Sequence, residues 1–416
     1  MDHTAFEGLL GVFILAALAP IIADFIPKVA IPVVVLELVL GILAGPHILG
    51  LVHGNGGLEI GRELGVIFLF FLAGFEVDFE GIKGNPLRNA VIAWGVGFAL
   101  ALVVAFGMQQ MDLTSAFFLL AIAISTTSLG SLMPILQDSG QLGNRFGANI
   151  LALGAIGEFA PVLLIAFALN RSRAGFLTAL AVFGFLAVVL IILAFNRRAI
   201  GQNKDSHIRR IAITTLDSSA QFGVRIAMVL LIALVYLAAR FDLDVLLGAF
   251  AGGFIVGQLG DVTTSKESRK VMEWLKVKFE AIGYGVLVPI FFIVTGIEFR
   301  LDELLNSRTA LILMPVMVLV FLIVRGGPVM LGYRRFTTGK RMRLAVVTAT
   351  QLPLLVTVID RMVSQGDIPA DVAAGIIGAA AISVTLFPIL GFNGLPPAAG
   401  NDGNKVEALP EITKPA

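Results

Sequence analysis

Long apolar stretches separated by short polar segments dominate the chain and predict a bundle of membrane-crossing helices. The apolar runs recur along almost the whole sequence, and each is roughly 17–26 residues long, where one helical crossing of a bilayer needs about 20. We predict thirteen helices, at residues 8–26, 31–51, 61–79, 88–109, 114–138, 145–170, 175–196, 220–240, 243–259, 281–299, 308–333, 342–363 and 369–392. Because lipid admits only helices or closed barrels, this pattern predicts an all-α membrane protein.

Composition and charge support this class and predict an orientation. Apolar residues make up 57% of the 416 positions and charged residues only 14%, with a mean hydropathy of +0.93. Of the 30 Lys and Arg residues, 21 fall in one set of alternating loops and the C-terminal tail, and 7 in the other set. Since basic residues accumulate in cytoplasmic loops, we expect the N-terminus outside and the C-terminus in the cytoplasm.

Several function classes are disfavoured by what the sequence lacks. It contains no cysteine, which excludes disulfides, thiolate metal sites and cysteine catalysis, and its four histidines are scattered singly. No nucleophile is paired with a base, so we do not expect an enzyme or a cofactor. The basic clusters mark cytoplasmic loops rather than a nucleic-acid surface.

Two short phrases occur twice in the same order and indicate an internal repeat. Leu40–Gly45 resembles Leu247–Gly252, and Phe70–Glu76 resembles Phe291–Glu298. The copies would comprise predicted helices two to six and nine to thirteen. A shift of seven crossings is odd, so one copy would be upside down in the membrane. Such inverted repeats are typical of secondary transporters, whose sites lie at interrupted helices near the midplane.

The repeat predicts that the fifth and twelfth helices are interrupted. Both carry hydroxyl side chains at mid-depth together with glycine or proline, which loosen a helix and satisfy its freed backbone groups. The candidate ligands there are Ser125, Thr126, Thr127, Ser128, Thr350 and Gln351. Unwound carbonyls and half-helix ends can coordinate a cation. Close helix packing is the alternative role for either segment alone.

Three charged residues lie deep within predicted helices. Glu158 interrupts an apolar run in the sixth helix, where a carboxylate costs roughly 2.5–3.5 kcal/mol. We predict that it binds a proton or a monovalent cation; the alternative is a structural ion pair with an arginine. Arg325 stays protonated and would be a buried counter-charge or a packing contact. Glu37 is a secondary candidate for which a structural role is favoured, whereas Glu76 is expected to lie at the mouth.

The sequence resembles the monovalent cation/proton antiporter superfamily, in its branch of bacterial sodium/proton and potassium/proton exchangers. The resemblance is carried by Leu38–Gly50, Leu64–Gly74, Ser125–Thr127 and Phe291–Gly296. It implies a homodimer in a bacterial-type cytoplasmic (inner) membrane.

The resemblance also implies a division into a fixed part and a moving part. A scaffold and dimerisation domain would comprise residues 1–86 and 214–306. An ion-transporting core, residues 87–196 and 307–392, would move like an elevator. Residues 197–213 would form a cytoplasmic loop and residues 393–416 a disordered cytoplasmic tail.

The same resemblance assigns roles to single residues. Glu158 matches the family's ion-binding aspartate, Gly157 stands where the family usually has Asn, Asp or Gln, and Arg325 matches a basic residue before the second interrupted helix. We therefore expect exchange of Na+ or K+ for H+, with one proton per cation and no net charge moved. The alternative is an organic-anion symporter of similar architecture in which Arg325 contacts the substrate.

Overall fold

The computed structural model describes residues 3–25, 33–76, 84–168, 221–261 and 266–392, and also positions 184 and 191. Positions 53, 55, 142, 143 and 242 within these ranges are not described. Within these ranges the regular structure is entirely helical. The helices are α1 (His3–Phe25), α2 (Val33–Ala44), α3 (Gly56–Glu76), α4 (Asn85–Gln110), α5 (Phe117–Ile124), α6 (Leu129–Asp138), α7 (Arg145–Ala168), α8 (Phe222–Arg240), α9 (Val245–Asp261), α10 (Lys266–Ile282), α11 (Val288–Ile297), α12 (Leu301–Asn306), α13 (Arg308–Phe321), α14 (Gly327–Gly332), α15 (Thr338–Thr348), α16 (Pro353–Ser364) and α17 (Ala370–Phe392).

These helices confirm an all-α, multi-pass membrane protein. Eight described segments are long and apolar enough to cross a membrane. Two of them contain a π-helical turn, at 283–287 between α10 and α11 and at 322–326 between α13 and α14. The predicted helix at 175–196, the loop 197–213 and the tail 393–416 lie outside the described residues, except for positions 184 and 191.

The second predicted helix is shorter than expected. It was predicted to run to residue 51, but α2 ends at Ala44 and the chain turns. Pro46 lacks the backbone N–H that a continuing helix needs. Gly50 then adopts a φ of 61°, a conformation that glycine reaches without steric cost. The turn brings the chain to α3, which begins at Gly56.

Both predicted helix interruptions are confirmed. The fifth predicted helix is divided into α5, ending at Ile124, and α6, beginning at Leu129. The twelfth is divided into α15, ending at Thr348, and α16, beginning at Pro353. The segments 125–128 and 349–352 are therefore unwound.

The packing of the repeated phrases confirms the internal repeat. Gly41 in α2 lies against Gly296 in α11, and Gly74 in α3 lies against the Phe250 carbonyl in α9. The first phrase of each copy thus packs on the second phrase of the other copy. This reciprocal arrangement is what a two-fold relation between the copies produces.

The described helices pack into two groups. The scaffold group comprises α1–α3 and α8–α11, and the crossing group comprises α4–α7 and α13–α17. Helices within each group pack extensively on one another, whereas few direct contacts join the groups, and the short helix α12 connects them. The assignment of these groups as a fixed scaffold and a moving core stays a prediction.

The turn at 45–52, after α2, and the short helix α12 mark one end of both groups. His47 Nδ1 lies 2.6 Å from an Asp302 carboxylate oxygen, which joins this turn to α12. We call this end the outer end, following the Lys and Arg count, and the opposite end the inner end.

Replacing Gly41 by alanine should destabilise the scaffold group. A Cβ atom at Gly41 would collide with the Ile293 carbonyl oxygen, which belongs to a helix backbone and cannot move freely. We expect Gly41→Ala to lower the free energy of unfolding by about 1–3 kcal/mol. Gly95 in α4 has open space around the same position, so Gly95→Ala should be neutral or stabilising. Thermal unfolding of the purified protein in detergent compares the two variants, and equal midpoints would contradict the prediction.

Candidate ion-binding site

The two unwound segments cross and are joined by hydrogen bonds. The Ser128 amide donates to the Thr350 carbonyl over 2.9 Å, and the Gln351 side-chain amide donates to the Ile124 carbonyl over 2.9 Å. Thr126 Oγ1 lies 3.1 Å from Gln351 Oε1. Each segment therefore supplies partners for backbone groups that the other lost on unwinding, which a lipid environment requires.

Hydroxyl side chains satisfy further carbonyls at the ends of the half-helices. Ser125 donates to the Ile122 carbonyl at 2.8 Å, and Thr126 lies 2.9 Å from the Ala123 carbonyl. A hydroxyl that donates its proton still has lone pairs on the oxygen. These buried oxygens can consequently serve both as structural donors and as ligands to a cation.

Glu158 meets the crossing from α7 and is only 5% exposed. Its Oε1 atom accepts hydrogen bonds from the Leu129 amide at 2.8 Å and the Gly130 amide at 3.4 Å. These amides form the N-terminus of α6, where the helix dipole stabilises negative charge. The Oε2 atom is buried and has no hydrogen-bond partner. One carboxylate oxygen of Glu158 is thus held by the two amides, while the other oxygen is free to bind a proton or a cation.

Gly157 lets α7 approach the crossing closely. Its carbonyl accepts a hydrogen bond from the Thr127 amide at 3.1 Å. A Cβ atom at this position would lie 2.6 Å from Arg325 Nη2 and 2.7 Å from Thr127 Cβ. A side chain at position 157 would therefore displace the arginine or the unwound segment.

Arg325 braces the crossing and does not pair with Glu158. It lies in the π-helical turn 322–326 and is 2% exposed. Its Nε donates to Thr127 Oγ1 at 2.8 Å and its Nη2 to the Leu153 carbonyl at 3.4 Å. Thr127 in turn donates to the Thr348 carbonyl at 2.7 Å. These contacts match the packing role that the sequence left open for Arg325.

The structure brings most of the predicted site residues together. Segment 125–128, Thr350, Gln351, Glu158 and Arg325 all lie at or beside the crossing, and Thr350 Oγ1 is buried without a partner. Glu37 is different: it lies on α2 of the scaffold group, 3% exposed. No hydrogen bond joins it to the crossing in the part of the chain that the structure describes. Its Oε2 atom is also buried without a partner.

Glu76 is a buried acid that sequence reasoning placed at the mouth. Both of its carboxylate oxygens are buried without a hydrogen-bond partner, as is the Tyr284 hydroxyl. The helix end is covered by α10, where Phe279 meets Phe75 with 5.4 Å between ring centroids. The position of a residue along its own helix does not show whether a helix distant in sequence packs over it.

A resident metal site is not found among the described residues. No group of three or more His, Cys, Asp or Glu side chains in the described ranges is arranged to hold a metal ion. Oxygen atoms such as those at the crossing are the ligands that hard cations prefer.

Two interrupted helices that cross beside a buried carboxylate define a class, the secondary transporters with inverted repeats. Comparison with known proteins identifies the family within this class. Residues 13–392 match the family described as "Sodium/hydrogen exchanger, transmembrane". The chain belongs to this family, which consists of transporters.

Several curated proteins are similar to the chain. It is 31% identical over 348 residues to the "Putative Na(+)/H(+) antiporter YjbQ" of Bacillus subtilis, covering 79% of this chain and 53% of YjbQ. The chain therefore spans about half the length of that relative. It is 25% identical over 310 residues to the "Na(+)/H(+)-K(+) antiporter GerN" of Bacillus cereus, covering 73% of this chain and 74% of GerN.

A solved structure shares the fold. The sodium/proton antiporter MjNhaP1 of Methanocaldococcus jannaschii, solved at pH 8, superposes with a TM-score of 0.63. The match covers 94% of this chain and 95% of MjNhaP1 at 17% sequence identity. At this identity the likeness establishes the fold.

Replacing Thr127 by valine should weaken the crossing. Valine has nearly the same shape but neither accepts from Arg325 nor donates to the Thr348 carbonyl. We expect Thr127→Val to lower the free energy of unfolding by about 1–3 kcal/mol, because buried polar groups lose their partners. Thr127→Ser keeps the hydroxyl and should retain most of the stability. Thermal unfolding in detergent measures both, and the same midpoint for the valine and serine variants would refute the bracing role.

Proposed function

We propose that the protein is a secondary active antiporter that exchanges Na+ or K+ for H+ across the membrane. The observation that carries this proposal is the state of the Glu158 carboxyl group. One oxygen is anchored to the N-terminus of α6, and the other is buried without a partner at a crossing rich in oxygen atoms. A proton or a monovalent cation is the natural occupant of such an oxygen.

Competition for Glu158 couples the two ions. An unoccupied carboxylate is costly in a low-dielectric setting, and either a bound proton or a bound cation neutralises it. Movement of the site across the membrane is therefore favoured only when it is occupied. Hydroxyls and carbonyls of 125–128, together with Thr350 and Gln351, complete the shell of the cation.

The names of the relatives suggest which ions are exchanged, and the charged groups at the crossing suggest the stoichiometry. GerN is named for exchange involving Na+, H+ and K+, while another relative, from Saccharomyces cerevisiae, is named "K(+)/H(+) antiporter 1". We take both ions as candidates for this chain. With Glu158 as the carboxylate at the crossing and Arg325 charged throughout, one proton replaces one monovalent cation and the exchange is electroneutral.

The proposed movement is that of an elevator. The crossing group carries the site against the scaffold group, which forms a homodimer in the cytoplasmic membrane with the N-terminus outside.

An organic-anion symporter is less well supported. That function needs a cationic side chain that is accessible to a carboxylate or similar group. Arg325 is 2% exposed and already donates to Thr127 and to the Leu153 carbonyl. Transport that requires an organic anion, and not merely a pH gradient and salt, would support the symporter.

Neutralising Glu158 should abolish exchange. Glutamine keeps the size of the side chain but cannot alternate between a proton and a cation. In everted vesicles, Glu158→Gln should eliminate the dissipation of a proton gradient on addition of Na+ or K+. Glu37→Gln, at the buried acid in α2, is the matched control and should keep measurable exchange. Retained exchange in Glu158→Gln at native expression would refute the assignment.

Protons should compete with the transported cation. Because the cation binds the deprotonated carboxylate, its affinity falls as the proton concentration rises. The half-saturating cation concentration should therefore rise as pH falls, by up to about tenfold per pH unit once the site is mostly protonated. The maximal rate at saturating cation should change far less. Initial rates measured at several pH values test this, and a pH-independent half-saturating concentration would contradict a shared site.

A further inference from the structure

Two ion pairs join the scaffold group to the end of α16. Arg62 Nη1 in α3 lies 3.3 Å from Asp360 Oδ2, and Arg361 Nη1 lies 2.7 Å from Asp244 Oδ2 before α9. Asp360 and Arg361 are consecutive residues with opposite charges. The end of α16 is therefore held from two directions by partners on two scaffold segments.

Both scaffold partners keep a second partner of their own group. Arg62 Nε also lies 3.3 Å from Glu298 Oε2 at the end of α11. Asp244 Oδ1 accepts a hydrogen bond from the Leu246 amide at 2.9 Å. If α16 moved away, neither scaffold charge would be left without a partner, which is the costly outcome for a buried or half-buried charge. These ion pairs are thus suited to repeated breaking and re-forming.

A cavity of about 450 Å³ lies beside the first of these ion pairs, and both Arg62 and Asp360 are among its lining residues. Its lining draws on both groups, with Thr295 and Glu298 from the scaffold side and Val356 and Ala374 from the crossing side. Thr295 is 5% exposed, and its hydroxyl oxygen is buried without a partner.

The cavity extends from the outer end towards the crossing along α16. That helix starts at Pro353, directly after the unwound segment, and Asp360 lies seven residues further on. At 1.5 Å per residue, the ion pairs are about 10 Å along the helix from its beginning. The cavity therefore lies between the Arg62–Asp360 ion pair and the crossing, where an outer entrance to the crossing would lie.

We propose that the Arg62–Asp360 and Asp244–Arg361 ion pairs form a latch that closes an outer ion entrance and breaks whenever the crossing group moves. This inference rests on the proposed elevator movement. The outer entrance would then be closed at these two ion pairs in the present conformation. Arg62, Asp360 and Arg361 have partly exposed side chains, at 24%, 45% and 46%, and partly exposed ion pairs are weak enough to break in each cycle. Asp244 is 6% exposed and keeps its hydrogen bond from the Leu246 amide when Arg361 leaves.

The absence of cysteine allows a direct test by reversible cross-linking. Asp244→Cys/Arg361→Cys joins the two groups through a short bifunctional methanethiosulfonate reagent. We expect the variant to exchange ions before treatment, to lose most of its exchange after cross-linking, and to recover on reduction. The matched control is Ser307→Cys/Asp371→Cys, whose native oxygen atoms lie 2.7 Å apart within the crossing group at the same end. The cross-linked control should keep its exchange activity.

Exchange that continues after complete cross-linking of Asp244→Cys/Arg361→Cys would overturn the latch. Loss of exchange in the cross-linked control would overturn it as well, since the effect would then not depend on joining the groups. A protein that shows no cation/proton exchange before any treatment would instead count against the proposed function.

A labelling experiment tests the latch without relying on transport. Ala374 lines the cavity and is 2% exposed, so Ala374→Cys should react slowly with a membrane-impermeant thiol reagent. Adding Asp360→Asn and Arg361→Gln removes both ion pairs and should raise the labelling rate at least threefold. A cysteine at Met111, which is 70% exposed directly after α4 at the outer end, should label at the same rate in both backgrounds. Equal rates at position 374 with and without the two substitutions would overturn the latch even if the cross-linked variant failed to fold.

Discussion

The structure depends on holding one carboxylate inside a membrane protein without a fixed counter-ion. Glu158 is met by the N-terminus of a half-helix, whose amides stabilise negative charge without occupying both oxygens. An arginine paired with Glu158 would neutralise the carboxylate permanently, and neither a proton nor a cation would then be needed to neutralise it. The interruption between α5 and α6 is what creates this N-terminus at mid-depth. Glu158 and the unwound segment therefore form one structural feature.

Gly157 and the Arg325 guanidinium group lie side by side, in a space too small for a side chain at residue 157 as well. Arg325 reaches Thr127 across the position that a side chain at residue 157 would fill. The resemblance to the exchanger family leads one to expect a polar side chain at position 157. Here the guanidinium group occupies that volume and stabilises the unwound segment itself. The two features are thus linked, because Arg325 can take this position only when residue 157 has no side chain.

Much of this arrangement could be predicted from sequence, and the rest depended on contacts between distant segments. Hydroxyls next to glycine or proline at mid-depth located both interruptions, and a lone acid in an apolar run located Glu158. The partner of Arg325 could not be predicted, because the π-helical turn at 322–326 changes the direction in which the side chain points. Glu76 lies at the end of α3 as expected, but the burial of its two carboxylate oxygens could not be predicted, because depth along α3 says nothing about the cover that α10 provides. Short-range patterns therefore identified the elements, while long-range packing decided the partners.

The two ends of the molecule differ in how their acids are satisfied. At the outer end, Asp244, Glu298 and Asp360 each face an arginine, and the scaffold arginine contacts two of them. Towards the inner end, both Glu76 oxygens have no hydrogen-bond partner. The arginines at the outer end thus neutralise acids of both groups, whereas the hydrophobic cover from α10 encloses Glu76. The asymmetry arises from the placement of arginines and not of acids, since carboxylates are present at both ends. Alternating access would require this difference to change when the crossing group moves, and Asp360 and Arg361 belong to that group.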